Sequence, residues 1–348
     1  MKPLPIPSHF KPALAESVWR VDYAGLASAA PKWARQHGLT LAATDRVKVC
    51  LMVIDNQNTF CIPDHELFVG GRSGRGAVDD TVRLCDFIYR NLGVITRIYP
   101  TMDTHTAMQI FHPVFWVNDA GEHPGPFSMI TFDQVKNGTW KVNPAMAANL
   151  NAPYQYLARY ALHYTESLSK SGKYALTIWP YHAMLGGIGH ALTSSIEEAC
   201  FFHNLARSSQ TGPEIKGGNA YTENYSVLRP EVMDGPPLRS GEANQVVGQK
   251  NTEFIKKLLD FDAVIIAGQA KSHCVAWTID DLLNEINAQD PALAKKVYLL
   301  EDCTSPVVVP NVIDYTDDAD AAFKRFSDAG MHVVRSTDPI DSWSGIVL

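Results

Sequence analysis

Residues 263–275, AVIIAGQAKSHCV, join a short run of apolar, β-branched residues to a turn of small residues and then to the start of a helix. Continuous apolar runs of this length are typical of strands that are buried on both faces of a parallel sheet. Similar runs at 47–55, 93–103, 174–180, 296–301 and 331–335 alternate with helical patterns at 76–91, 189–206, 252–259, 273–287 and 318–329. This order predicts an α/β fold with a doubly wound, Rossmann-like, mostly parallel sheet and helices on both faces.

Composition narrows the class of protein. The chain has 348 residues, of which 46% are hydrophobic, and a formal net charge of -7. It can therefore bury a large core without disulfides, and it has no Lys/Arg-rich run that would bind nucleic acid. Because no apolar stretch approaches the roughly 18 residues of a membrane span, a membrane partner is not expected. Six scattered cysteines and the lack of a signal-peptide pattern predict a soluble, cytoplasmic protein.

Two stretches interrupt the alternation of strands and helices. Residues 1–45 are predicted to form an N-terminal extension, and residues 46–348 a single domain with an insertion at about 113–172. The insertion contains Trp116, Phe127 and Trp140, so it is too aromatic for a disordered linker. We expect a packed excursion or an oligomer contact there, and a homo-oligomer overall.

Ligands bind beyond the carboxyl ends of strands in sheets of this kind, so the polar residues there are candidate site residues. Cys274 follows the apolar run at 263–268 and begins a helix. The helix dipole and its unpaired N–H groups favour a thiolate there and supply part of an oxyanion hole, which makes Cys274 a candidate nucleophile. The alternative is an ordinary buried cysteine. Asp55 follows the run at 47–55 and is either a general base or a turn-capping carboxylate.

A candidate metal site follows two other apolar runs. Asp103, His105 and His182 offer one carboxylate and two imidazoles, a set that suits a divalent metal, with zinc as first choice and iron or manganese as alternatives. His112 and His123 compete for a ligand role. 

Lys216 lies between an apolar residue and two glycines, which suits a semi-buried amine that would stabilise a thiolate. The alternative, a solvated surface residue, is the usual place of a lysine.

Taken together, these segments resemble the nicotinamidase branch of the isochorismatase-like cysteine hydrolases. Five segments follow that family's order: IDNQNTF at 54–60, TMDTH at 101–105, WPYH at 179–182, IKG at 215–217 and GQAKSHCV at 268–275. The resemblance implies an isochorismatase-like hydrolase fold. It also implies three sets of site residues: Asp55, Lys216 and Cys274 as catalytic residues; Asp103, His105 and His182 as metal ligands; and the N–H groups of Ala270 and Cys274 as the oxyanion hole, with a cis peptide between residues 269 and 270.

The resemblance further implies a chemistry. Nicotinamide, or a similar small aromatic amide, would be hydrolysed to the acid and ammonia through a thioester on Cys274, with the metal anchoring the ring. Phe60, Trp179 and Gln269 would line the substrate site; the alternative for Phe60 and Trp179 is an ordinary position in the core.

The sequence departs from the family pattern at two positions that bear on the substrate. Thr59 stands where the family usually has Asp, and Ala183 where a cysteine commonly follows the metal histidine. The departures leave open hydrolysis of another small amide, ureide or carbamoyl compound. An isochorismate-type ether hydrolase and a non-catalytic binding protein with the aromatic insertion as its partner surface are further alternatives.

Overall fold

The central element is a six-stranded parallel sheet. The computed structural model describes residues 3–171 and 174–346. The predicted extension, insertion and domain also include residues 1–2, 172–173 and 347–348, which lie outside the described residues. The strands are β1 (Val49–Ile54), β2 (Ile95–Asp103), β3 (Glu214–Lys216), β4 (Ala263–Gly268), β5 (Val297–Leu300) and β6 (His332–Val334). Their order across the sheet is β6-β5-β4-β1-β2-β3, and every pair is parallel.

Helices cover both faces of this sheet. The longer ones are α1 (Tyr23–Gln36), α2 (Gly76–Arg90), α3 (Tyr154–Ser171), α4 (Ser194–Arg207), α5 (Thr252–Leu259), α6 (Ala276–Gln289) and α7 (Thr316–Asp328). Alternate side chains of β1 enter two separate cores, as the two-residue period of a strand requires. Val49, Leu51 and Val53 belong to the core that includes α1, α2 and α4. Cys50, Met52 and Ile54 belong to the core that includes α3, α5, α6 and α7. The predicted doubly wound α/β fold is confirmed.

Shorter elements connect these layers. Short α-helices span Asn58–Cys61, Phe132–Lys136 and Met146–Asn149, and 3-10 helices span Pro12–Leu14, Ala42–Thr44, Pro113–Phe115, Ile188–His190, Pro291–Lys296, Glu301–Cys303 and Ile340–Ser342. Two-residue antiparallel pairs join Trp116–Val117 to Lys141–Val142, Met129–Ile130 to Leu176–Thr177, Asp234–Gly235 to Gln245–Val246, and Val308–Val309 to Ile313–Asp314. Within the described ranges, no helix combines the length and apolarity that a membrane crossing requires.

The prediction that 174–180 forms a strand of the central sheet is wrong. Only Leu176–Thr177 is a strand there, and it pairs with Met129–Ile130 of the insertion. The sheet edge beside β2 is occupied instead by β3, whose register pairs Lys216 with Asp103. The apolar residue of β3, Ile215, is 66% exposed, so backbone pairing defines this edge strand. The sequence therefore shows no run of apolar residues that would predict it.

The insertion and the extension both pack against the rest of the chain. Trp116 and Tyr160 of the insertion are fully buried in the core that contains Met52. Leu26 and Ala30 of α1 are buried in the opposite core, beside α4. An oligomer contact of the insertion stays a prediction.

Gly268 allows the two central strands to end side by side. Strand order reverses between β1 and β4, and Gly268 at the end of β4 pairs with Ile54 at the end of β1. Gly268 has a φ of 113°, and a Cβ there would lie 2.0 Å from the carbonyl oxygen of Ile54. Only glycine fits this close approach, which brings Asp55 beside the turn that leads to Cys274.

We predict that Gly268→Ala destabilises the protein by about 3 kcal/mol or more, because the methyl group adds a backbone clash to the cost of a left-handed conformation. Gly38→Ala is the matched control, since Gly38 also has a positive φ but a Cβ there would meet no atom within 4 Å. Denaturant unfolding of both variants measures the difference. Equal losses of stability would show that the Ile54 contact is unimportant.

Candidate active site

Four strand ends place the predicted catalytic side chains around one buried ammonium. Asp55 follows β1, Asp103 ends β2, Lys216 ends β3, and Cys274 follows β4, all at the carboxyl edge of the sheet. Lys216 Nζ lies 2.9 Å from Asp55 Oδ2 and 3.0 Å from Asp103 Oδ1. The same atom lies 3.5 Å from Cys274 Sγ. The structure thus brings together the three catalytic residues that the resemblance implies.

Asp55 is held in an uncommon backbone conformation. Its φ is 42°, in the left-handed region that costs a non-glycine residue about 1–3 kcal/mol and that is enriched at functional sites. Its N–H donates to Thr101 Oγ1 at 3.0 Å, and the Thr101 hydroxyl donates to Asp55 Oδ1 at 2.5 Å. Thr101 therefore fixes one carboxylate oxygen and leaves the other facing Lys216. Our sequence analysis gave Thr101 no role, although it opens the TMDTH segment.

Burial favours the thiol form of Cys274, the predicted nucleophile. Burial raises the pKa of Cys274 well above its usual value, and Lys216 only partly opposes this effect. Lys216 itself is charged: burial alone would lower its pKa, but Asp103, Asp55 and Cys274 together raise the pKa well above the usual value. The segment Lys271–Val275 is a π-helical turn and Cys274 is only 7% exposed, so burial opposes the predicted preference for thiolate.

Burial also prepares Asp55 to act as a base. It raises the pKa of Asp55, while the nearby Lys216 ammonium opposes the increase. A carboxylate with a raised pKa is a stronger base than one in water. An attack by Cys274 from the thiol form would require an acceptor for its proton, and Asp55 is the candidate acceptor.

A three-residue cluster beside this group offers a ligand set for a metal. One ligand atom each from Asp103, His105 and His182 lies within 4.8 Å of the others. Asp103 Oδ2 is 2.8 Å from His105 Nε2 and 3.5 Å from His182 Nε2. The Nδ1 atoms of the two histidines face the carbonyl oxygens of Gly217 at 3.1 Å and Pro180 at 2.8 Å. A proton on each Nδ1 leaves both Nε2 lone pairs free to bind a cation, so these residues fit a divalent metal.

Two further residues position Asp103. Gln57 donates from Nε2 to the Asp103 carbonyl oxygen and accepts from the Asp103 N–H, both at 2.8 Å. A Cβ on Gly217, whose φ is 86°, would lie 2.6 Å from Asp103 Oδ1 and 2.8 Å from His105 Cε1. Both residues lie inside the motif segments, and this position is the one sequence feature that could have identified them. The sequence does not show that they contact Asp103.

The competing histidines have other partners. His112 Nδ1 lies 3.1 Å from the Ala107 carbonyl oxygen, and its ring centre is 5.8 Å from that of His105. His123 Nδ1 lies 2.6 Å from the carbonyl oxygen of Trp116. Among the described residues, the three-residue metal cluster includes neither of them.

A narrow pocket opens at Cys274 and the candidate metal ligands. Its lining combines apolar and aromatic walls with a few polar groups: Phe60, Leu67, Val69, Asp103, Trp179, His182, Glu223, Tyr225, Ala270, His273, Cys274 and Val307. Phe60 and Trp179 therefore lie where the predicted substrate site requires them. Ala270 and Cys274, predicted to form the oxyanion hole, also line the pocket, and the Gln269–Ala270 peptide is cis, as the resemblance implies.

Gln269 does not line this pocket with its side chain. It is fully buried, donates from Nε2 to Asp80 Oδ2 at 2.8 Å, and accepts from the Ser305 N–H at 3.3 Å. The prediction that its side chain contacts the substrate is therefore wrong in this structure. Gln269 instead ties the turn before Cys274 to α2.

Glu223 is a pocket residue that our sequence analysis missed. It is 5% exposed, and burial raises its pKa to about 7. Its carboxylate accepts a hydrogen bond from the Asn224 N–H at 2.8 Å. No apolar strand precedes Glu223, so the search for polar residues after strands could not find it.

Known proteins show similarity to this chain only at the level of structure. No protein-family model matches it, and no curated protein matches it by sequence. A solved nicotinamidase/pyrazinamidase from Acinetobacter baumannii has 18% identity and a TM-score of 0.48, with 85% of this chain and 99% of that chain covered. The yeast nicotinamidase bound to nicotinaldehyde has 18% identity and a TM-score of 0.49, with 82% and 99% covered. A Pyrococcus horikoshii pyrazinamidase in complex with zinc has 16% identity and a TM-score of 0.42, with 83% and 99% covered.

We predict that the purified protein binds one divalent ion, with zinc preferred, and that Asp103→Asn and His182→Ala each reduce the bound metal more than about tenfold. His123→Ala is the control, because its ring contacts Trp116 instead of the cluster. Elemental analysis after dialysis against a weak chelator measures the metal. An equal loss from the control, or no loss from the cluster variants, would exclude this ligand set.

Proposed function

We propose that this protein is an amidohydrolase that converts nicotinamide or a similar small aromatic amide to the acid and ammonia through a thioester on Cys274. One observation carries the proposal: a single buried ammonium, Lys216 Nζ, contacts Asp55 at 2.9 Å and Cys274 Sγ at 3.5 Å. A nucleophile, a base and a charge that stabilises the developing thiolate are the parts that acyl transfer to sulfur requires.

The first half of the reaction forms the thioester. Asp55 takes the proton from the Cys274 thiol as sulfur bonds to the amide carbon, and the carbonyl oxygen becomes an oxyanion. The N–H groups of Ala270 and Cys274 would donate to that oxygen. When the carbon–nitrogen bond breaks, Asp55 returns its proton to the leaving nitrogen, and ammonia departs.

The second half of the reaction restores the enzyme. A water molecule attacks the thioester carbon while Asp55 accepts one of its protons. The carbon–sulfur bond then breaks, and Cys274 recovers a proton from Asp55. Throughout both halves, the Lys216 charge lowers the energy of any state in which Asp55 or Cys274 is an anion.

Substrate orientation would come from two parts of the pocket. Phe60 and Trp179 offer flat apolar walls for an aromatic ring. Asp103, His105 and His182 would hold a divalent ion, and when bound this ion would supply a positive charge that attracts the lone pair of a ring nitrogen. Fixing the ring in this way aligns the amide carbon with the sulfur, which reduces the entropic part of the barrier.

We predict that the protein releases ammonia from nicotinamide, and that Cys274→Ala lowers the rate by a factor on the order of 10⁵ or more because covalent turnover is lost. Asp55→Asn should lower the rate by about 10² to 10⁴, the usual contribution of a general base. Cys200→Ala, which removes a buried thiol from α4, is the matched control and should keep its activity. A coupled ammonia assay and mass spectrometry of acyl-Cys274 report both expectations.

The same assay separates the alternative functions. Ammonia from ureides or carbamoyl compounds, with no release from aromatic amides, would assign a different substrate with the same catalytic residues. Full activity of Cys274→Ala would contradict the thioester. No hydrolysis of any aromatic amide, ureide or carbamoyl compound would favour a non-catalytic binding protein.

A further inference from the structure

Asp80 is a buried carboxylate on α2 that the proposed mechanism does not use. It is 1% exposed, its Oδ2 accepts from Gln269 Nε2 at 2.8 Å, and its Oδ1 accepts from Arg83 Nη2 at 2.7 Å. Burial raises the pKa of Asp80, and the hydrogen bonds from Ser305, Gln269 and Arg83 oppose that increase. Both oxygens of the carboxylate are therefore engaged, and one of them holds the turn that leads to the candidate nucleophile.

The partners of Gln269 leave its side-chain amide a single orientation. An ionised carboxylate can only accept hydrogen bonds and a backbone N–H can only donate, so Nε2 must face Asp80 and Oε1 must face the Ser305 N–H. The second of these hydrogen bonds measures 3.3 Å. The Gln269 side chain is fully buried, so water does not compete for either partner. Gln269 is thus held from both ends of its amide.

The backbone on either side of Ala270 is held as well. The Gln269 N–H donates to the Ile54 carbonyl oxygen at 2.7 Å, and the Lys271 N–H donates to the Ser305 carbonyl oxygen at 2.8 Å. Ser305 therefore contacts both the residue before Ala270 and the residue after it. Among the described residues, the Ala270 N–H takes no part in the backbone hydrogen bonds of this turn, and Ala270 lines the pocket. Its N–H is consequently available to a ligand.

Apolar packing alone would not give this turn a defined direction. Two apolar side chains could fill the space of Asp80 and Gln269 without the cost of taking a carboxylate and an amide out of water. A fully satisfied polar network instead fixes the distances and angles of the groups that it joins. That precision matters for a catalytic group, because a displacement of about 1 Å can lower a rate by roughly 100-fold.

We propose that Asp80 is a positioning residue that acts through Gln269 to direct the Ala270 N–H at the oxyanion. This inference rests on the proposed function, in which that N–H donates to the carbonyl oxygen of the substrate. Asp80 is not part of the pocket lining among the described residues, so it acts without touching the substrate. Its removal should therefore lower kcat, where the oxyanion develops, and leave KM nearly unchanged.

The test compares Asp80→Ala with a double exchange, Asp80→Asn combined with Gln269→Glu. In the exchange, the carboxylate at position 269 accepts from the Ser305 N–H and from the new amide at position 80, whose oxygen accepts from Arg83. Asp80→Ala should lower kcat about 10- to 100-fold with KM within about threefold, and the exchange should recover kcat to within about fivefold of the wild type. Asp86→Ala is the matched control and should keep its kcat, because Asp86 lies on the same helix but faces Arg90.

A second measurement reports the oxyanion position without hydrolysis. Pyridine-3-carbaldehyde adds to the Cys274 thiol: a sulfur–carbon bond forms, the thiol proton passes to the carbonyl oxygen, and that oxygen takes the place of the oxyanion. Asp80→Ala should weaken aldehyde binding about 10- to 100-fold. Binding of pyridine-3-carboxamide to Cys274→Ala, where no adduct forms, should change less than about threefold when Asp80→Ala is added.

Folded Asp80→Ala protein with the wild-type kcat and aldehyde affinity would overturn the inference. A loss of kcat that the folded exchange variant does not recover, or an equal loss of aldehyde and carboxamide binding, would overturn it too and leave Asp80 a packing residue. Failure of the wild type to release ammonia from any amide would instead contradict the proposed function. In that case, the aldehyde adduct on Cys274, compared between wild type and Asp80→Ala by mass spectrometry, still decides the role of Asp80.

Discussion

The site is organised around the ammonium of Lys216, which is buried between two carboxylates and a thiol. Taking a charged amine out of water is costly, and the cost is offset only by close partners of opposite charge. Asp55 and Asp103 supply them at 2.9 Å and 3.0 Å. The dependence is mutual, because removal of the amine would leave two buried carboxylates without their cation. A buried cluster of this kind holds its members close together, and this arrangement is the one that the proposed covalent catalysis needs.

Asp103 links this cluster to the metal ligand set. One of its oxygens faces Lys216, and the other faces the Nε2 atoms of His105 and His182. Burial alone would raise the pKa of Asp103, but its close contacts with His105 and Lys216 hold that pKa well below its usual range. Asp103 is therefore an anion, shared by the amine and by any cation that the two histidines bind. The position of the Lys216 amine and the position of the candidate metal ligands are consequently set by the same side chain.

The sheet explains why distant segments meet. Parallel strands end at the same edge, and the pairing of Ile54 with Gly268 and of Asp103 with Lys216 places the four key side chains in adjacent positions. The sequence allowed β1, β2 and β4 to be predicted, because each is a strong apolar run, and it allowed their terminal residues to be identified. It did not indicate β3, because a short exposed edge strand has no apolar pattern. Only the resemblance favoured a buried role for Lys216 over a surface position.

The sequence could not predict side-chain direction or protonation, for a related reason. Gln269 belongs to the right turn but faces Asp80, and only the three-dimensional packing of α2 decides this. The thiol form of Cys274 follows from how deeply the π-helical turn is buried, which a helix-start pattern does not reveal. Glu223 reaches the pocket from a loop that has no strand-end pattern. His273 lies in the turn after β4, but the sequence does not show that its ring lines the pocket.

The central claim is that the Lys216 ammonium controls the reactivity of Cys274. The most direct test is the rate at which iodoacetamide alkylates Cys274 in the wild type, in Lys216→Met and in Lys271→Met, measured by peptide mass spectrometry. Lys271 is the control because it is half-buried and pairs with the exposed Asp320 instead of with Asp55 and Asp103. Loss of the buried charge raises the pKa of the thiol, so Lys216→Met should react at about one tenth of the wild-type rate or below. Lys271→Met should keep the wild-type rate. Folded Lys216→Met protein that reacts at the wild-type rate would contradict the account.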